Sequence, residues 1–324
     1  MKITLITRFV EQHFPSGLTK VLRRLYSIFK AIKMGEKKCS FGNRNIDKTF
    51  YVIRLFPPAS GILSNYIFIL GYIQKALDHG WVPIVDMLNY KTQYSTSEPI
   101  NGSKNAWEIY FSQPSTYSLE DVYDSKNVIL ADGNLPLYDN SMSPEALSSQ
   151  IKASELVPIN NYLSNQISDK YGQTLNLLEA TNTIGVAVRG TDYNTIKPAN
   201  HPVQPNIEYL IKVIKEKQRE WMIDNIFVAT EEAEIIEILN AKFNNLLWID
   251  RPRFSRFGGK KLITETDIDG FSQYDITFSY IAEMYLLSKC TALIGAKNSG
   301  FITTRIWNKN KYKHIEVIDL GVYA

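Results

Sequence analysis

The spacing of hydrophobic residues changes near residue 180, after which short apolar runs alternate regularly with longer amphipathic ones. The first kind of run predicts strands and the second predicts helices. The predicted strands are 184–188, 225–229, 246–249, 291–294 and 314–318, and the predicted helices are 206–221, 232–243, 275–288 and 299–307. Such alternation is typical of a parallel, doubly wound sheet. The almost wholly apolar strand 184–188 fits a sheet that is covered by helices on both faces.

The first half of the chain predicts a second α/β unit. It contains a β-like run at 49–55, a turn at 57–61, an apolar helix at 62–77 and a strand at 81–86, then a short helix at 106–111, a strand at 127–131 and helices from Pro144 and Pro158. A chain of 324 residues exceeds the size at which one hydrophobic core usually stops growing. We therefore expect two domains, at 39–180 and 181–324.

Residues 1–38 predict a basic N-terminal arm. Residues 1–54 carry 12 Lys and Arg against three acids, although the net charge of the whole chain is only +3. Apolar residues recur there at helical spacing (Leu18, Val21, Leu22, Leu25, Phe29, Ile32). Two interpretations stand side by side: residues 18–38 attach to an anionic membrane surface, or the helix packs its apolar side on the protein. A basic arm favours such a surface as partner, whereas a wholly basic domain would have favoured nucleic acid.

Composition places the chain among ordinary globular proteins, with 44% hydrophobic and 21% charged residues. Cys39 and Cys290 lie far apart and form no metal-ligand spacing, which favours a reducing compartment. The sequence shows neither an apolar run of about 18 residues nor a cleavable leader. We therefore expect a cytoplasmic protein, peripheral on the inner face of the plasma membrane if the arm binds there.

Polar clusters follow three predicted strands of the second half, at Arg189-Gly-Thr-Asp192, Thr230-Glu-Glu232 and Ala296-Lys-Asn-Ser-Gly300. The carboxyl ends of parallel strands meet at one edge of a sheet, so we expect these clusters to share one crevice. Arg189 offers a planar fork of donors for phosphate oxygens, and Gly190 lets the backbone approach closely. Asn298, Ser299 and Gly300 precede a helix whose free N–H groups favour an anion. Taken singly, these residues are typical helix caps; together they predict a diphosphate site.

These motifs resemble those of α1,6-fucosyltransferases and nodulation fucosyltransferases and, more distantly, protein O-fucosyltransferases. The first family motif, approximately HxRRTD, stands here as Ala187-Val-Arg189-Gly-Thr-Asp192 and is followed by His201-Pro202. The second is matched by 226–232, and the third by 281–288 with 293–300. The resemblance covers about residues 184–308 in the same order and spacing.

The resemblance implies a GT-B fold, in which two Rossmann-like domains with parallel sheets face each other and the C-terminal domain binds the donor. It implies an inverting glycosyltransferase that needs no metal or cofactor. Arg189 then grips the β-phosphate of GDP-fucose, Glu283 recognises guanine, and Ser299 lies near the phosphates. One carboxylate can accept from both N1–H and N2–H of guanine, which suits Glu283 to that role.

Two positions depart from the family pattern. Ala187 replaces the motif's histidine and Gly190 its second arginine, and Lys297 is a candidate to replace the lost charge. Asp192 and His201 are candidates for the general base, and Asp192 is equally suited to orient Arg189. Asp267-Ile-Asp269 matches the DxD pattern of metal-dependent enzymes, a match common by chance.

Two alternatives to fucosyl transfer stay open. One is a glycosyltransferase with another nucleotide-sugar donor. The other is a non-catalytic nucleotide-sugar-binding protein on the same sheet, because a fold does not fix an activity. If the arm binds a membrane, a lipid-linked glycan is the expected acceptor; otherwise the acceptor is another glycan.

Overall fold

The computed structural model describes residues 35–55, 61–132, 143–255, 268 and 270–324. They form two α/β units, each built on one sheet. The N-terminal sheet holds β1 (Gly35–Cys39), β2 (Phe50–Arg54), β3 (Val82–Val85) and β4 (Val128–Asp132), in the order β1-β4-β2-β3. The helices of this unit are α1 (Ile62–Asp78), α2 (Leu119–Val122), α3 (Pro144–Ser154) and α4 (Asn161–Ala180).

The C-terminal sheet is wholly parallel and has the order β7-β6-β5-β8-β9. Its strands are β5 (Thr183–Val188), β6 (Asn225–Thr230), β7 (Leu246–Leu247), β8 (Ala292–Ala296) and β9 (His314–Ile318). Its helices are α5 (Thr191–Ile196), α6 (Ile207–Trp221), α7 (Ala233–Asn240), α8 (Gln273–Leu287) and α9 (Ser299–Trp307). All six residues of β5 are buried, because helices cover both faces of this central strand.

The predicted alternation of strands and helices in the second half is confirmed, and two predictions for the first half are wrong. Residues 106–111 form turns rather than a helix, because Phe111 pairs with Ile159 in an isolated β-bridge. The helix expected from Pro158 begins at Asn161, because the Asn160 side chain accepts the Leu163 N–H at 2.8 Å and caps the helix there.

The N-terminal sheet also departs from the parallel arrangement that we expected. β1 pairs antiparallel with β4, with Gly35 opposite Asp132, whereas β2 pairs parallel with both of its neighbours. β1 contains residues 35–38 of the predicted arm, and the rest of the arm lies outside the described residues. Among the helices that the structure describes, none is long and apolar enough to cross a bilayer.

One hydrophobic core joins the two units, and an aromatic cluster lies where they meet. Tyr66 on α1 stacks on Trp107 with ring centroids 5.9 Å apart and meets Trp307 of α9 edge-on at 5.7 Å. Phe111 packs against Tyr66 at 4.8 Å. The Tyr66 hydroxyl donates to the Val157 carbonyl at 3.3 Å, so its one polar group is satisfied. The cluster fixes α1 against α9, and both helices begin at the edge of the cleft between the units.

We expect Trp107→Ala to lower the free energy of unfolding by about 3–5 kcal/mol, because Trp107 is fully buried and its removal leaves a cavity under α1. Trp248→Ala is the matched control, since Trp248 is 38% exposed and its replacement should cost less than that of the fully buried Trp107. Urea denaturation followed by circular dichroism measures both. Equal losses in the two variants would contradict the role of the aromatic cluster.

Candidate functional site

The carboxyl ends of the C-terminal strands open on a cavity of about 210 Å³ between the two units. The N-terminal unit contributes the start of α1 and Tyr94, and the C-terminal unit contributes residues that follow four different strands, Arg189, Glu231, Arg251 and Ser299. In the sheet, β6 and β7 lie on one side of β5 while β8 and β9 lie on the other. The cavity therefore opens at the switch point of the strand order, where doubly wound sheets bind their ligands.

Arg189 directly follows β5 and is partly exposed in the cavity. Its guanidinium carbon lies 4.2 Å above the ring of Tyr193, a cation–π contact with the next helix, α5. This contact holds the guanidinium next to α5. A planar fork held in this way is suited to bind two phosphate oxygens at once.

Gly190 lies against the start of α7. A Cβ atom here would overlap the end of the Glu232 side chain and would lie 2.9 Å from Ile235 Cδ1, so a side chain at this position would have to displace both. The Gly190 N–H donates to Glu231 Oε1 at 3.0 Å. Gly190 therefore contributes its backbone to this turn.

The turn from β8 to α9 brings Ser299 to the cavity and uses Asn298 as the helix cap. The Asn298 side chain accepts the Phe301 N–H at 3.0 Å. Gly300 is tightly packed, since an added Cβ would lie 2.7 Å from Tyr280 Oη. Lys297 lines an adjacent cavity of about 670 Å³, and its role as a replacement for the missing charge stays a prediction.

His201 lines both cavities, at their common wall with Ser299. Its ring meets Tyr193 edge-on at 5.5 Å, and its Nδ1 lies 3.0 Å from the Ala199 carbonyl, which fixes the ring. Asp192 is in the first turn of α5, but its side chain lies outside the described part of the structure, as do Asp267 and Asp269.

Glu283, on α8, has partners that the sequence analysis did not predict. It is 0% exposed, and its carboxylate binds Arg251 Nη1 at 2.6 Å and Arg253 Nη2 at 3.3 Å. Burial raises the pKa of Glu283, and the two guanidiniums oppose that shift. Glu283 also lines a small cavity together with Arg189 and Asn298, and a contact between Glu283 and guanine stays a prediction.

Arg251 and Tyr280 are site residues that the sequence analysis missed. Arg251 comes after the end of β7, and Arg189 comes after the end of β5. The argument that placed Arg189 in the cavity, that the ends of parallel strands meet at one edge of a sheet, therefore applied to Arg251 as well. Tyr280 lies three residues before Glu283 on α8, and burial raises the pKa of its hydroxyl to about 12, against the opposing influence of Arg189 and Arg251. The phenol therefore stays protonated at neutral pH and can donate a hydrogen bond into the cavity.

Sequence comparison finds no matching family model and no curated relative. The fold does match solved structures. The selenomethionine form of fucosyltransferase NodZ from Bradyrhizobium has a TM-score of 0.52 at 13% identity, covering 86% of this chain and 97% of that chain. A second NodZ structure has a TM-score of 0.48 at 14% identity, covering 80% and 92%. A mutant of FUT1 from Arabidopsis thaliana in complex with GDP has a TM-score of 0.44 at 12% identity, covering 93% and 81%.

The first of these similarities shows the fold of the chain, which is that of NodZ. It confirms the predicted GT-B architecture of two α/β units with the cleft between them. The likeness to fucosyltransferases that the motifs predicted is therefore confirmed for the fold. The antiparallel β1 departs from our prediction that both sheets are parallel.

We expect Gly190→Ala to destabilise the protein by about 1 kcal/mol, because the added methyl group must displace the ends of the Glu232 and Ile235 side chains. Gly172→Ala in α4 is the matched control, because nothing lies within 4 Å of its added Cβ. Thermal unfolding of both variants measures the difference. A Gly190→Ala variant as stable as Gly172→Ala would show that the turn has room to spare.

Proposed function

We propose that this protein is a glycosyltransferase that moves a sugar, fucose from GDP-fucose in the first instance, onto a glycan acceptor in polysaccharide or glycoconjugate synthesis. One observation carries the proposal: Arg189 and the N-terminal residue of α9, Ser299, line one cavity at the switch point of the sheet. Arg189 and the start of α9 are both groups that bind phosphate oxygens. The cavity lies between the two units, where an enzyme can bind a donor and an acceptor side by side.

The donor assignment rests on the motifs of the second half and on the fold shared with fucosyltransferase NodZ. A glycosyltransferase with another nucleotide sugar uses the same phosphate contacts, so it is the first alternative. A non-catalytic nucleotide-sugar-binding protein is the second. GDP release and transfer to an acceptor separate the enzyme from the binding protein.

In the proposed inverting reaction, an acceptor hydroxyl attacks the anomeric carbon on the face opposite the nucleoside diphosphate. The bond between that carbon and the β-phosphate oxygen breaks, and negative charge builds on the phosphate. Arg189 and the N–H groups at the start of α9 stabilise this charge. The hydroxyl proton passes to a general base, for which Asp192 and His201 are the candidates. The position of His201 in the wall shared by the two cavities supports this candidate, if the donor binds in one cavity and the acceptor in the other.

The setting of the reaction is part of the proposal. If residues 18–38 attach to the anionic inner face of the plasma membrane, the acceptor is a lipid-linked glycan presented at that surface. Otherwise the acceptor is a glycan that reaches the cleft from solution.

We expect Arg189→Ala to lower the rate of sugar transfer by about 10²- to 10³-fold, because it removes one donor to the charge that forms on the leaving phosphate. The chain should stay folded, since Arg189 is partly exposed. Release of GDP from GDP-fucose, with and without a glycan acceptor, measures the rate. The matched control is Arg219→Gln, an exposed residue on α6 whose Nε donates to the Lys215 carbonyl. A normal rate in Arg189→Ala would exclude the proposed phosphate contact.

A donor panel tests the nucleotide sugar itself. Ligand that binds only the native state raises the melting temperature in proportion to ln(1 + [L]/Kd). We expect GDP-fucose to give the largest shift among GDP-fucose, GDP-mannose, UDP-sugars and CDP-sugars. A larger shift with another donor would favour the first alternative function.

We expect activity to persist in EDTA, because Arg189 and the start of α9 supply positive potential next to the leaving phosphate. The assay is the same GDP release after exhaustive chelation. Activity lost in EDTA and restored by Mn²⁺ or Mg²⁺ would overturn this part of the proposal.

A further inference from the structure

Arg251 reaches the cavity on a segment whose backbone has its own anchors. It comes four residues after the end of β7, at the same sheet edge as Arg189. The Phe254 N–H donates to the Glu231 carbonyl at 2.8 Å, and the Ala233 N–H donates to the Phe254 carbonyl at 3.0 Å. The segment is therefore tied to the end of β6 by backbone bonds, without help from the side chain of Arg251.

The side chain of Arg251 is held in one orientation by two polar contacts. Its Nη1 donates to Glu283 Oε2 at 2.6 Å, and its Nε donates to the Pro252 carbonyl at 3.2 Å. A guanidinium has five N–H bonds, so these contacts use two of them and fix the plane of the group. Arg251 lines the cavity with a side chain that is 2% exposed.

Tyr280 connects the two arginines of the cavity. The guanidinium carbon of Arg251 lies 6.0 Å from the centre of the Tyr280 ring. Arg189 and Arg251 both oppose the rise in the pKa of this phenol, so both charges act on the same hydroxyl from within the same cavity. Two guanidiniums that line one cavity together with this phenol offer two forks of donors, which suits the two phosphates of a diphosphate.

Glu283 binds two arginines, Arg251 and Arg253, and only Arg251 of the two lines the cavity. Burial lowers the pKa of Arg253, and the like charge of Arg251 adds to that effect. Within the described part of the chain, the wall of the cavity contains two guanidiniums, Arg189 and Arg251, against one carboxylate, Glu231. Such a wall favours an anionic ligand.

The geometry points to Arg251 as the second guanidinium that binds the diphosphate of the donor, and to Glu283 as the residue that positions Arg251 rather than as the reader of guanine. This inference rests on the proposed function. It accounts for Gly190, because the positive charge absent from that turn enters the cavity from the end of β7. It also predicts that the site distinguishes diphosphates from monophosphates strongly and guanine from related bases weakly.

The first experiment uses the wild-type chain and isothermal titration calorimetry with GDP, IDP and GMP. IDP lacks the 2-amino group of guanine, so a carboxylate that accepts from both N1–H and N2–H would bind it at least about tenfold more weakly than GDP. We expect GDP and IDP to bind within about threefold of each other. GMP, which lacks one phosphate, should bind at least about tenfold more weakly.

The second experiment titrates GDP and IDP into Arg251→Gln, Arg251→Lys and Glu283→Gln. We expect each change to weaken both nucleotides by the same factor, about 10- to 100-fold for Arg251→Gln, because charged hydrogen bonds to phosphate are lost. Arg219→Gln and Glu237→Gln, exposed residues on α6 and α7, are the matched controls and should bind as wild type does. If Glu283→Gln does not fold, Arg251→Lys decides, since it keeps the charge beside Glu283 and removes the planar fork.

The outcomes separate this inference from the proposed function. Strong binding of GDP with IDP at least about tenfold weaker in wild type, and a GDP-to-IDP ratio that falls to about one in Glu283→Gln, would overturn the inference and leave the glycosyltransferase proposal standing. Wild-type affinity in Arg251→Gln would overturn it as well. A wild-type chain that binds none of the three nucleotides would overturn both.

Discussion

The common direction of the five strands of the C-terminal sheet is the constraint on which the site depends. Because β7, β6, β5, β8 and β9 are parallel, the residues that follow them emerge at one edge, and the change of strand order between β5 and β8 leaves a crevice there. Close packing sets the depth of that crevice. Added Cβ atoms at Gly185 and Gly295 would lie 2.8 Å from Leu287 and 2.9 Å from Phe301, so α8 and α9 approach the strands closely at these two glycines.

The same packing explains why a charged group can stand in the core next to the cavity. Glu283 lies on α8, wholly removed from water, and a carboxylate in such a place needs charged partners. It has two, and removal of one partner of a buried pair typically costs about 3–5 kcal/mol. The position of Arg251 is therefore strongly determined even though its segment is irregular. In this way a residue on an irregular segment is held in the fixed position that a binding site requires.

The sequence was sufficient to predict the strands and the longer helices of the second half, because strands buried on both faces and amphipathic helices leave clear periodicities. It was not sufficient for α5, whose six residues are too few to show a helical period. It was sufficient to place Arg189 and Ser299 in one cavity, because parallel strand ends converge. It was not sufficient for residues 106–111, where a bridge between Phe111 and Ile159 decides the conformation. Nor did it show the partners of Glu283, since Arg251 lies 32 residues away and the pair forms only after α8 packs. Contacts of this kind leave no periodic signal in the chain.

The aromatic contact between the units has a consequence for how molecules enter the cleft. Tyr66 and Trp307 belong to different units and to the same core, so a hinge motion that swung the units apart would bring these rings into water. Opening of the cleft is therefore opposed by the loss of this buried contact. The shape and charge of the mouth, as these packed walls define them, then contribute to the selection of substrates.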